Sequence, residues 1–415
     1  MSKPMGPIPP GFAADADGML LIAGRRADAL VAEAGDTPLF VYDLDMVEAK
    51  IGCFRSAFPS IHLHYAIKAN PYGPLVRHIA ARVDGLDIAS GGELRYALEA
   101  GADPAVISFA GPGKRDADLE AAIAAGITLN CESEGEAERA FAIGMRLGRR
   151  PRLAVRVNPD FEIKGSGMRM GGGAKPFGVD AARVPALVRR IIEAGGEWRG
   201  FHIFAGSQAL DAGALIEAQR ATLALAGALA EAVGAPPPLV NLGGGFGIPY
   251  FHGEQPLDVE AVGAALEHEL KKRPQILENT EFAIELGRWL VGECGVYLTR
   301  IVDRKESHGK TFLVTDGGMQ HQLAASGNFG QVVRRNYPVA IASHFRAPAE
   351  EEEATIVGCL CTPLDRLGDD LALPRAGPGN LVAVFLAGAY GLSASPQAFL
   401  AQQAAREMAV GGEGS

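Results

Sequence analysis

Between residues 62 and 286 the chain repeats one pattern, a short apolar run followed by a longer Ala-rich stretch of helical period. The runs 62–67, 84–89, 106–110, 127–131, 152–157, 199–204, 238–242 and 282–286 have strand length and are bounded by turn residues. Stretches 94–100, 117–125, 134–147, 181–194, 212–233 and 258–272 read as the helices between them. Eight strand-helix units in sequence predict an α/β architecture, a parallel (β/α)8 TIM barrel rather than an open sheet. Runs at 19–23 and 38–42 read as early strands. After Arg288 the pattern turns β-rich, at 289–300, 311–315, 355–361 and 380–385, with turn signals such as His308-Gly309 between runs. At 415 residues the chain is too long for one ordinary core. The expected division is 1–43, strands joining the β domain; 44–288, the barrel; and 289–415, a smaller C-terminal all-β domain.

Barrels of this kind carry function where strands end. The first run alternates Ile61, Leu63, Tyr65 and Ile67 with His62, His64 and Ala66, then stops at Lys68, followed by Asn70-Pro71. A charge at a buried strand end is costly unless it is paired, neutralised or converted, and a Schiff base with an aldehyde cofactor is one conversion. A lysine that snorkels to solvent is the other reading. Later strand ends carry Glu132, Arg156, Ser207, the run Gly243-Gly244-Gly245-Phe246-Gly247, and the pair Glu285 and Arg288. Backbone N–H groups in such a glycine run can surround a phosphate, although the run also suits a tight turn and no Lys-Ser/Thr follows it. Glu285 could keep a pyridine nitrogen protonated and Arg288 could meet a phosphate, or the two could form a local salt bridge. Arg156 and Asp87 either shape the same site or are structural.

The net charge of -10 argues against a nucleic-acid or anionic-membrane partner. Five scattered cysteines do not form a disulfide framework, Cys359 and Cys361 have no companions that would complete a metal site, and no metal is expected. No apolar run is long enough to span a bilayer, and the Pro- and Gly-rich N-terminus has no signal-peptide core, so the expected location is cytoplasmic.

Taken together, Tyr65-Ala66-Ile67-Lys68-Ala69-Asn70, Ala89-Ser90-Gly91-Gly92-Glu93-Leu94, Gly206-Ser207-Gln208, the glycine run, Glu285-Leu286-Gly287-Arg288, Cys361 and Ala389-Tyr390-Gly391 resemble the fold-type III pyridoxal-phosphate decarboxylases. That family includes diaminopimelate, ornithine and arginine decarboxylases, and the resemblance runs in order over nearly the whole chain. It implies an alanine-racemase-like barrel and pyridoxal 5'-phosphate as cofactor. It also implies Lys68 as the lysine bonded to that cofactor, Glu285 as partner of the pyridine nitrogen, and Ser207, Gly244, Gly245 and Arg288 around the phosphate. By the same resemblance, Tyr390 and Cys361 reach into the site of the other subunit of a homodimer, and Cys361 returns a proton to Cα.

The departures bear on the substrate. Diaminopimelate members have two histidines before Ile-Gly-Ser, where this chain has His202 and Phe204. Their Glu after the cysteine is Thr362 here, and their substrate-binding Arg is Ala324. The distal end of the substrate is therefore expected to differ. The loop 164–173, with Asn328-Phe329-Gly330 and 334–338, is most similar to a subgroup linked to exosortase clusters and to a carrier-protein-tethered glutamyl decarboxylase. The expected activity is α-decarboxylation of a small-molecule L-amino acid or an acyl-carrier-protein-bound aminoacyl substrate. Diaminopimelate decarboxylation proper, amino-acid racemisation and a non-catalytic cofactor-binding regulator are the alternatives.

Overall fold

A computed structural model of the chain describes residues 2–162, 167–169, 172–329, 331, 333–346 and 350–412. Parts of the 164–173 loop, and Gly330, lie outside them. The chain divides into two compact units, Lys50–Ile248 with Pro256–Trp289, and Met1–Ala49 with Pro249–Gln255 and Leu290–Ser415.

The first unit is a closed parallel barrel, as the alternating pattern predicts. Its strands are β1 (His62–Ala66), β2 (Gly85–Ile88), β3 (Ile107–Phe109), β4 (Thr128–Cys131), β5 (Arg152–Asn158), β6 (Glu197–Ile203), β7 (Leu239–Asn241) and β8 (Glu281–Leu286). Each pairs in parallel with the next, and β8 returns to β1 with Leu286 opposite Tyr65 and Ala283 opposite His62. Four of the helices between them start on side-chain caps. Ser90 accepts from Glu93 N while Glu93 reaches back to Ala89 N, and Ser133, Asp211 and Asp258 each accept from the backbone N–H three residues on. Gly126, Gly148 and Gly234 end three of the helices in the left-handed conformation. On β1 the fully buried Leu63 and Tyr65 form one face, whereas His62, His64 and Ala66 face cavities.

The second unit is a β-rich domain built on one long strand, Gly295–Ser307. Leu39–Asp43, Leu381–Val384 and Lys310–Thr315 all pair antiparallel with it. Arg406–Val410 then pairs parallel with Leu39–Asp43. Of the two early strands, Leu20–Ile22 stays apart in a small three-stranded sheet.

Two local expectations fail for tertiary reasons. Arg288–Val291 is a helical turn, not the start of a strand, with Trp289 edge-on to Phe246 at 6.1 Å and under Lys50 Nζ at 4.7 Å. Cys359 and Cys361 lie in a bend beyond the strand Glu351–Val357. Asp365 closes that bend by accepting from Leu360 N at 2.8 Å and Met319 N at 2.7 Å, while its carbonyl accepts from Gly358 N. An Asp that satisfies several backbone donors offers the chain an alternative to the ladder.

Candidate active site

A cavity of about 220 Å³ opens at the C-terminal ends of the barrel strands, and its lining includes Lys68, Asp87, Arg156, Phe177, His202 and Glu285. Lys68 stands on a single turn, Ile67–Ala69, just after β1. The turn is held by Asn70 N donating to Ile67 O and by Tyr65 Oη donating to Asn70 O. Lys68 Nζ lies 5.4 Å from the centre of the Phe204 ring, within cation–π range.

Glu285 ends β8 almost fully buried. Its Oε2 accepts from His202 Nε2 at 2.9 Å and from Asn241 Nδ2 at 3.3 Å. Burial pushes this carboxyl up, but His202, then Lys68 and Arg156, outweigh burial and hold it well below the usual carboxylate range. The site therefore keeps a carboxylate charged inside the barrel. Asn241 also accepts from Gly243 N at 2.9 Å, which ties the glycine turn to Glu285.

Arg156 is held by a residue to which the sequence assigns no role. Glu132, at the end of β4, accepts from Arg156 Nη1 at 2.7 Å, from Gly111 N at 2.5 Å and from Gly178 N at 3.0 Å. One buried carboxylate thus gathers β5 and two loops around the cavity. Burial raises it, but Arg156 and Lys114 hold its pKa below the ordinary value. Behind it, Lys114 Nζ donates to Gly111 O, Asn130 O and Glu136 Oε1.

The glycine run has a packing reason of its own. Gly243 and Gly245 take φ of 73° and 87°. A Cβ on Gly244 would lie 1.9 Å from the Glu285 carbonyl oxygen, which no side chain tolerates. Ser207 sits in a two-residue strand paired with Met168–Arg169, and Arg288 opens the turn after β8. Cys361, an exposed thiol, and Tyr390, whose φ of 53° is rare for an L residue, belong to the β-rich unit.

The family model described as pyridoxal-dependent decarboxylase, pyridoxal binding domain, matches residues 44–292. The chain belongs to this family. The L-glutamyl-(BtrI acyl-carrier protein) decarboxylase of Niallia circulans is 36% identical over 371 residues, 88% of this chain and 86% of that protein. The diaminopimelate decarboxylase of Aquifex aeolicus is 32% identical over 95% of this chain and 92% of its own. The structure of diaminopimelate decarboxylase from M. jannaschii in complex with L-lysine superposes with a TM-score of 0.88 at 26% identity, covering 98% of this chain and 94% of that one.

The chain is a pyridoxal-phosphate-dependent decarboxylase, a carboxy-lyase. Its cavity fits that cofactor on chemical grounds. A primary amine suits an aldehyde, and a carboxylate held ionised in a buried place suits a protonated pyridine nitrogen. Among the described residues no cluster of His, Cys, Asp and Glu could hold a metal ion, and no helix is long and apolar enough to cross a membrane.

Proposed function

We propose that this decarboxylase removes the α-carboxyl group of an L-amino acid, free or tethered to a carrier protein through its side-chain carboxyl so that the α-carboxylate stays free, working in the cytoplasm as a homodimer with shared sites. One observation carries the chemistry, the placing of the Lys68 amine and the ionised Glu285 carboxylate in a single cavity. When bound there, pyridoxal 5'-phosphate supplies an electron sink for the bonding pair left by the carboxyl group.

The chain's own residues do the rest. Lys68 would hold the cofactor through its amine, and Nζ would take up or release a proton when the substrate amine replaces it. Glu285 would keep a proton on the ring nitrogen, its Oε2 held in place by His202 and Asn241. Arg156 and Asp87 shape the cavity, with Glu132 fixing the guanidinium. Phe204 flanks the cofactor ring. Ser207, Gly244, Gly245 and Arg288 surround the phosphate. Cys361 and Tyr390 come from the second copy, Cys361 returning the proton to Cα.

The tethered substrate is favoured by the 36% identity to a decarboxylase named for a carrier-bound glutamyl group. The uncharged Thr362 and Ala324 fit this reading, because neither would pair with a charged distal group of free diaminopimelate. The test is carbon dioxide release from a panel of free amino acids and from L-glutamyl carrier protein. Release from the carrier-bound substrate at a kcat/KM well above that of any free amino acid is expected. Release from free diaminopimelate alone would overturn the tethered assignment.

A further inference from the structure

The barrel contains a second hollow, at the N-terminal ends of its strands. Its volume is about 320 Å³, and its walls include His62, His64, Ser108, Asn130, Arg199 and Asn241. The interior of such a barrel is ordinarily filled by bulky branched side chains. A hollow in that place, with two histidines and an arginine in its wall, calls for a cause.

No residue lines both this hollow and the Lys68 cavity, but three side-chain links join them. Asn241 donates to Glu285, and Ser108 Oγ donates to Asp87 Oδ1. The third is His64, whose Nδ1 lies 3.3 Å from Oδ2 of Asp87. Neither an amide nor a serine hydroxyl titrates here, so only the His64–Asp87 link can change charge. Both members are more than nine-tenths buried, and neither Nδ1 nor Oδ2 has a hydrogen bond beyond this contact. Gly85 makes room for the ring, because a Cβ there would lie 2.7 Å from His64 Nε2.

We infer that His64 is a positioning residue of the Lys68 site, setting through Asp87 the charge presented to Lys68 and reached by water and small bases through the lower hollow. The inference rests on the reading of Lys68 as the cofactor's lysine. The charged groups facing His64 are Asp87 on β2, Asp84 just ahead of it and Glu285 on β8, while His62, Arg199 and Glu281 share the hollow. Burial pushes the imidazole down, but Asp87, then Glu285 and Asp84, outweigh burial and hold it above its ordinary range. The protonated form of the imidazole is thus favoured beside the Asp87 side chain.

The test uses the protein loaded with pyridoxal 5'-phosphate, without substrate, and reads the pH midpoint of the cofactor's visible absorbance. Removing the imidazolium leaves Asp87 uncompensated near Lys68, which favours the protonated form there. In His64→Ala the midpoint should rise by about one unit. Imidazole, entering the vacated space, should restore the wild-type midpoint, whereas pyrazole, of the same shape but a far weaker base, should not. An unmoved midpoint, or equal restoration by pyrazole, overturns the inference. If His64→Ala does not fold, His64→Gln fills the space without the charge, and the same rise is expected or the inference fails. Absence of any visible band in the wild-type protein would refute the Lys68 reading and this inference with it. A band that the His64 variants leave unmoved would refute this inference alone.

Discussion

At the scale of single residues, the site depends on keeping charges paired in a place that penalises them. Glu285 is held ionised by His202, Lys68 and Arg156. In Glu285→Gln the side chain keeps its shape but cannot hold a proton on the ring, so kcat should fall by roughly 10²-fold or more while cofactor remains bound, read by steady-state rates beside cofactor absorbance. Glu132 has a folded pKa below its ordinary value. A group depressed in this way stabilises the folded chain above the ordinary glutamate pKa of about 4.3, and that contribution is lost as pH falls through the lower folded value. Wild-type stability should therefore drop across that acid window, and in Glu132→Gln the drop should be shallower, as measured by urea unfolding against pH. Lys68 and Glu285, which line one cavity, are legible in the sequence as strand-end residues. The pairings of Glu132 with Arg156, and of His64 with Asp87, are not. Each partner lies more than twenty residues away on the neighbouring strand, and the parallel pairing of the two strands brings them together.

At the scale of elements, the alternation of period carried the barrel. All eight strands lie where the apolar runs predicted, because each run is too short for a helix and is bounded by turn residues. Much of the β-rich unit was hidden. Arg366–Pro374 has Arg366, Asp369 and Asp370 in its first half, and Arg406–Val410 is placed only by its pairing with the distant Leu39–Asp43. The glycine run was read as a phosphate loop, yet Gly244 is also required by the Glu285 carbonyl. Gly244→Ala should thus lower the thermal midpoint of the cofactor-free protein, by a free energy of about 2 kcal/mol or more. Ser207→Ala, by contrast, should weaken cofactor binding in a fluorescence titration and leave that midpoint nearly unchanged. Equal midpoints for wild type and Gly244→Ala would show that the backbone yields at β8.

At the scale of the whole molecule, the proposed site needs two copies. Lys68 and Glu285 belong to the barrel unit, Cys361 and Tyr390 to the β-rich unit, and the proposed site takes the two sets from different subunits. Mixing inactive Lys68→Ala with inactive Cys361→Ala should restore roughly a quarter of the wild-type rate if subunits exchange at random, because half the dimers then carry one complete site. No recovery, with exchange verified by mass, would mean that the sites are not shared. The central claim, α-decarboxylation at Lys68, is tested most directly with substrates labelled at C1, both free L-amino acids and L-glutamyl carrier protein. The account predicts labelled carbon dioxide from the pyridoxal 5'-phosphate-loaded wild-type protein and none from Lys68→Ala. Label retained in every substrate, or released equally by Lys68→Ala, would contradict it.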